Sequence, residues 1–283
     1  MEDALTAPTG AVPYRVSGSR RSFKGVSTDA LTVAASLAVV IGAWALVSGL
    51  GLVSAEFLPS PAAVLRTITS LMRQPYGTKN LVGNAYITSY RVLAGFGLGL
   101  VGGVLVGAVF ELLPPVRSVI EPLLSFVRPV PAFAFAGFLL ITMGLGESAK
   151  ITLIFLAVFP AFTIYTFASL HALPPDMEDA ARTLGAGGVR LFLRVRLVAA
   201  LPDLFAGARI LLAVSWTAMM GAELVGANSG IGWMIWQGLS TNQNDIIFAG
   251  VVVISLVAAL MDLCIIALGF IVTGGWRTQM KME

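Results

Sequence analysis

PPDMEDAARTLGAGGVRLFLRVRLVAALP, residues 174–202, is the one long stretch where charges and turn formers gather between extended apolar runs. Its first half has the composition of a short helix with both ends specified. Pro174 and Pro175 set the entry, Asp176 is placed as an N-cap, and Asp179 follows in a capping-box-like position. Glu178 and Asp179 put negative charge at the positive end of the helix dipole, with Arg182 toward the other end. Gly185 suits the left-handed residue that ends a helix, and Gly187 and Gly188 permit a sharp turn. A second helical segment is expected over 189–197. It is apolar at Leu191, Phe192 and Val195, with Arg190 and Arg194 on another face. Leu201 and Pro202 are expected to break it before the next apolar run. Such a pair of helices at a membrane surface, charged on one side and apolar on the other, suits docking onto a soluble partner.

The rest of the chain supplies the membrane. Of 283 residues, 57% are hydrophobic and only 12% charged, with a mean hydropathy of +0.88, which places the chain among polytopic membrane proteins. A pI near 9.2 reports orientation here rather than affinity for nucleic acid. The single cysteine, Cys264, excludes an internal disulfide and reads as a small core residue.

Six spans are expected. Residues 1–27, with Arg15, Arg20, Arg21 and Lys24, read as a flexible cytoplasmic tail. Residues 31–53 are uncharged and long enough to cross a bilayer. Although Val53-Ser54-Ala55 would pass as a cleavage site, the run is too long for an ordinary signal peptide and reads as a retained helix. Residues 54–91 hold a Pro-rich turn and a short amphipathic helix at the outer surface. The second span, 92–110, carries Gly95, Gly99, Gly103 and Gly107 at four-residue spacing, a small-residue face for close helix packing. Further spans are expected over 129–145, 151–170 (with Pro160 inside), 204–226 and 246–271, and 277–283 form a C-terminal tail. The transmembrane domain is thus taken as 28–276.

Counting lysine and arginine on alternate sides gives thirteen inside, with Arg128 and Arg209 among them, against five outside, with Arg91 and Lys150 among them, in favour of cytoplasmic termini and a cytoplasmic 174–202 loop. The chain carries no G-x-x-x-x-G-K-[ST] loop for nucleotide phosphates, one histidine (His171), and no serine in a G-x-S-x-G setting. It is read as a non-enzyme with no cofactor or metal of its own, so energy must come from a partner or an ion gradient. Intramembrane charges are then the functional candidates. Glu223 is placed near an outer mouth, as a pathway residue or a solvated interfacial carboxylate. Asp262 is expected to pair with another helix or snorkel, Arg209 to snorkel inward, and Arg128 to lie at the inner surface. Residues 226–234, GANSGIGWM, read either as a re-entrant turn with interfacial tryptophans or as a substrate vestibule involving Asn228, Ser229 and Trp233.

The 174–202 stretch resembles the EAA loop of permease subunits of bacterial ABC importers, whose pattern is E-A-A, three residues, G, nine residues, I-x-L-P. Asp179-Ala180-Ala181 stand at E-A-A, Gly185 at the glycine, and Val195, Leu197 and Val198 at I, L and P. Asp179 replaces the usual Glu and Val198 the usual Pro, with Leu201-Pro202 as a second Leu-Pro. FLPSPAAVL at 57–65, RPVPAFAF at 128–135, GLGESAKI at 144–151 and AELVGANSGIGWM at 222–234 are similar to the taurine, alkanesulfonate and nitrate branch.

That resemblance implies an all-α protein of about six transmembrane helices with the type I ABC importer permease fold and both termini cytoplasmic. It implies a second permease subunit, two cytoplasmic ATPases that bind ATP and Mg, and an extracytoplasmic substrate-binding protein. Coupling to the ATPase would fall to Glu178, Asp179, Ala180, Ala181, Arg182 and Gly185. The cargo would be a small organic anion such as taurine or an alkanesulfonate; nitrate, bicarbonate, an aromatic acid and a pyrimidine precursor stay open. A secondary transporter or a non-transporting scaffold are the rival classes, and the chain lacks the repeated broken-helix halves of the former.

Overall fold

A computed structural model describes residues 25–273. The tail expected over 1–27 therefore lies outside the described residues except for its last three, and the tail at 277–283 lies wholly outside them. Among the described residues the regular structure is helical, joined by turns and loops, with one isolated bridge between Tyr76 and Lys79. It divides into a unit ending at Leu52 and a unit starting at Val53. The first unit holds helix α1 (Gly25–Gly49), whose Thr32–Gly49 portion is long and apolar enough to cross a membrane.

The second unit begins with α2 (Pro61–Arg73), started by Ser60, whose side chain accepts from Ala63 N at 3.2 Å, and by Pro61 at the first helical position. It packs on α11 (Asn244–Val272), where Thr67 Oγ1 donates to Asp245 Oδ2 at 2.8 Å. Helix α3 (Leu81–Leu112) is capped by Asn80, which accepts from Gly83 N at 2.9 Å. It pairs along its length with α6 (Glu147–His171), and the glycine stripe is the reason. A β-carbon on Gly95 would stand 2.5 Å from Ile154 Cβ, on Gly99 2.7 Å from Val158 Cβ, and on Gly103 2.9 Å from Phe162 Cβ. The backbones meet at distances that no side chain permits, as expected of a small-residue face.

Helix α9 (Leu197–Gly226) packs on α6, and α11 packs on α9. The core between them is Val92, Phe96, Leu153, Ile154, Val158, Phe162, Leu212 and Met219. Outward faces are as apolar as the core. Val101, Leu105, Ile210, Leu256 and Leu260 are all more than 60% exposed or nearly so, the surface a bilayer solvates. Cys264 is on this outward side of α11, not in the core. Among the described residues five helices are long and apolar enough to span, or six when the bent pair described next is taken as one.

Three expectations need correcting. The third span is not one helix over 129–145 but α4 (Pro114–Val127), a break at 128–131, a 3₁₀ turn (Ala132–Phe135) and α5 (Ala136–Met143), the two arms meeting at 90°. Pro129 and Pro131 lack amide donors, and Pro131 disfavours helical conformation at Val130, so the ladder stops after Arg128, which still has helical angles. Arg128 consequently shares a cavity with Leu156 and Pro160, halfway along α6, rather than lying at the inner surface. Nor do Leu201 and Pro202 end a helix: after α7 (Pro175–Thr183) and the turn at 184–187, α8 (Gly188–Leu191) runs through a π turn (Phe192–Arg196) into α9 without interruption, and Pro202 is inside α9. Finally Asp176 is not a cap. Pro174 holds that place without a side-chain bond, and Asp176 lies within the first turn of α7.

Candidate functional site

Two polar assemblies stand out, at opposite ends of the α3–α6 pair. At the inner end, α7 is closed by a Schellman arrangement. Gly185 N donates to Arg182 O and Ala186 N to Ala181 O, both at 2.9 Å, and Gly185 takes φ +83°. Glu178 turns inward, where Arg196 grips it and Arg182 stands 3.8 Å away. Arg196 Nη1 donates to Glu111 Oε1 at 2.6 Å, and Glu111 also faces His171 Nδ1 at 3.3 Å. One chain of charges therefore ties α7 to the ends of α3 and α6 and to the last residue of the π turn. The Arg196 hydrogen bond holds the Glu178 carboxyl below its ordinary range. Asp179, Ala180, Arg182 and Gly185 face solvent, and Ala181 is half-buried. Leu184 is 89% exposed and Val189 73%, an apolar edge at the tip of the loop.

At the outer end a buried knot is centred on Arg91. Its Nε and Nη2 donate to the Glu147 carboxylate at 2.5 and 2.6 Å, a two-pronged pair. Its Nη1 donates to Glu223 Oε1 at 2.6 Å and to the Ser229 carbonyl at 2.8 Å. Thr88 Oγ1 donates to Glu223 Oε1 at 2.8 Å and accepts from Ile231 N at 2.9 Å. Gly232 N donates to Glu223 Oε2, and Gly230 N to Asn84 Oδ1, both at 2.7 Å. Gly230 has φ +116°, and the Glu223 carboxylate occupies the place of its missing β-carbon, so only glycine fits there. The knot fastens the start of α10 (Ile231–Ser240) to α3 and α9. Lys150, counted above as an outer-loop cation, is buried beside it, donating to Leu145 O at 3.0 Å.

Of the outer residues singled out from sequence, Glu223 and Ser229 are thus brought together and buried. Asn228 is exposed, and Trp233 packs against Gly77 and Tyr76. Arg91 and Glu147 were missed. The signal was present: Asn84, Thr88, Arg91 and Gly95 recur at helical spacing, so a polar stripe continues the glycine face. A second span beginning at residue 92 excludes Arg91, whereas α3 begins at Leu81 and contains it. Deeper in the membrane, Arg209 pairs with Asp262 through two hydrogen bonds of 2.7 Å instead of snorkelling.

The chain as a whole is similar to known proteins. A family model described as the binding-protein-dependent transport system inner membrane component matches residues 99–277. The chain belongs to this family. This transport permease is 32% identical to the taurine transport system permease protein TauC of Escherichia coli K12, over 82% of this chain and 85% of that one. It is 32% identical to the putative aliphatic sulfonates transport permease protein SsuC of Bacillus subtilis, over 80% of each. The nitrate import permease protein NrtB of a Synechocystis species is 27% identical over 83% and 86%. Among solved structures, a chain of the inward-facing MetNI methionine ABC transporter superposes with a TM-score of 0.55 at 21% identity, covering 66% of this chain and 95% of that one. The permease fold is therefore that of an ABC importer, in a multi-pass inner-membrane protein.

Proposed function

We propose that this permease forms, with a second copy of itself, the path by which a small organic anion of the taurine or alkanesulfonate type enters the cell. An extracytoplasmic binding protein delivers the cargo, and two separate cytoplasmic ATPases bind ATP and Mg and supply the energy. The observation that carries this reading is the construction of the inner loop. Helix α7 presents Asp179 and Ala180 outward, with the apolar Leu184 just past its end, while Glu178, Arg196 and Glu111 fasten it to α3 and to the turn leading into α9. A surface built this way takes hold of a partner and passes its displacement into the membrane, which a scaffold does not need. In this reading Asp179, Ala180, Ala181, Arg182 and Gly185 form the docking face and turn, and Glu178 is the strut behind them. On the outer side Asn228 faces the arriving binding protein, with Glu223, Ser229 and Trp233 shaping the wall beneath it. The sulfonate preference is supported by the TauC and SsuC relatives over NrtB.

The test is affinity purification of the tagged permease from its host in mild detergent, followed by reconstitution of what co-purifies. Recovery of a Walker-motif ATPase in equal amount, and ATP-dependent uptake of taurine when the binding protein is added, is the expected outcome. Uptake that persists without ATP under an ion gradient would overturn the reading in favour of a secondary transporter.

A further inference from the structure

The break between α4 and α5 holds a cation that the fold itself does not use. Arg128 opens on a cavity of about 240 Å³ walled by Phe133, Leu156, Pro160, Val214 and Thr217. Residues 156–160 are in the middle of α6, so this cavity is roughly 15–20 Å from either end of the span at 1.5 Å per residue. Other cations of the spans are neutralised: Arg91 by Glu147 and Glu223, Lys150 by Glu147, Arg196 by Glu178 and Glu111, Arg209 by Asp262. Among the described residues no carboxylate or hydrogen-bond acceptor engages the Arg128 side chain, which is exposed. A guanidinium at this depth is costly unless it meets water or an anion. Two prolines hold it there by preventing the backbone from closing into helix.

We propose that Arg128 is the intramembrane way-station for the transported anion, a proposal that rests on the permease reading above. The planar guanidinium fork matches an oxyanion such as a sulfonate, carboxylate or nitrate. The hydroxyl of Thr217 already donates to Val214 O at 2.7 Å, so Arg128 is the donor that defines the site. Phe133, Leu156 and Val214 give a short hydrocarbon tail an apolar wall. The site selects an anionic head with a small apolar tail, and mid-depth placement keeps lipid headgroups away from it.

The experiment uses the complete complex, with ATPase and binding protein, in a Cys264→Ala background. Thr217→Cys is labelled with an anionic and a cationic methanethiosulfonate of equal size. Arg128 should favour the anionic reagent by roughly tenfold over the ratio seen when Arg128→Gln is added, through local field focusing. Millimolar ethanesulfonate should slow the reaction only while Arg128 is present. In parallel, Arg128→Gln should abolish ethanesulfonate uptake and Arg128→Lys should restore part of it. A labelling ratio indifferent to Arg128→Gln, or a thiol inert to both reagents in every nucleotide state, overturns the proposal. If the wild-type complex imports no sulfonate, the cargo reading fails while the labelling ratio still decides the role of Arg128.

Discussion

Replacing Gly185 tests the inner loop most sharply, because the structure separates backbone from bulk at this position. A β-carbon there would meet nothing within 4 Å, so size alone costs little. The φ of +83° is the whole penalty. A residue with a β-carbon gives up about 1–2 kcal/mol in that conformation, and a β-branched one more. If the turn relaxes instead, the Gly185 and Ala186 amides lose their bonds to Arg182 and Ala181, each about 1 kcal/mol. A nine-residue helix has little stability of its own to absorb such a loss. Gly185→Val should therefore uncouple α7, with ATP-driven uptake falling at least tenfold while membrane insertion and purification yield hold. Gly185→Asn, which tolerates the left-handed region, should retain most uptake, and Gly185→Ala should fall between. Measuring the three variants in proteoliposomes, with co-purifying ATPase quantified, gives the order directly. If valine matches wild type, if asparagine is as damaging as valine, or if the variants fail to insert, the reasoning is wrong.

Other expectations are simpler. Arg91→Ala leaves the Glu223 carboxylate buried and uncompensated and should cost about 3–5 kcal/mol, read as a lower thermal midpoint in detergent, with Arg91→Met/Glu223→Met recovering part of it. Gly99→Val forces the α3–α6 pair apart at Val158 and should destabilise by about 1–3 kcal/mol in the same assay, whereas Gly97→Ala, which meets open space, should be close to neutral. The Glu178 carboxyl is held below its ordinary value of 4.5, so its stabilisation is complete above that pH and is lost as pH falls through the depressed value. Limited proteolysis of the 174–188 region should therefore accelerate below about pH 4.5, and Glu178→Gln should remove this step.

The spans, the glycine seam and the EAA-like loop were legible because each is written in local period or local turn chemistry. Gly95, Gly99, Gly103 and Gly107 need only a count of four, and Gly185 only a place after a short charged helix. The knot around Arg91 was not legible in that way. The Asn84, Thr88, Arg91, Gly95 stripe puts Arg91 on the packed face of its helix, but its partners Glu147 and Glu223 lie 56 and 132 residues away, beyond any local pattern. Pro202 misled for a related reason. A proline weakens a helix locally, but packing of α9 against α6 and the widened turn before it let the helix continue. The charge count survived its own errors. Arg91 and Lys150 leave the outer total and Arg128 and Arg209 the inner one, and withdrawing two from each side still leaves eleven against three.

The glycine seam has a mechanical consequence. Two helices meshed backbone to backbone along four turns behave as one beam, stiff against both shear and splay. A load applied at α7 meets that beam through Arg196 and Glu111 and cannot be spent in bending it. Compliance is left to places where the regular hydrogen-bond ladder is interrupted, two of which are the stretch 128–131 and the run from the π turn to Pro202. One of these joints borders the cavity holding Arg128, and the other follows directly from the loop where the load enters.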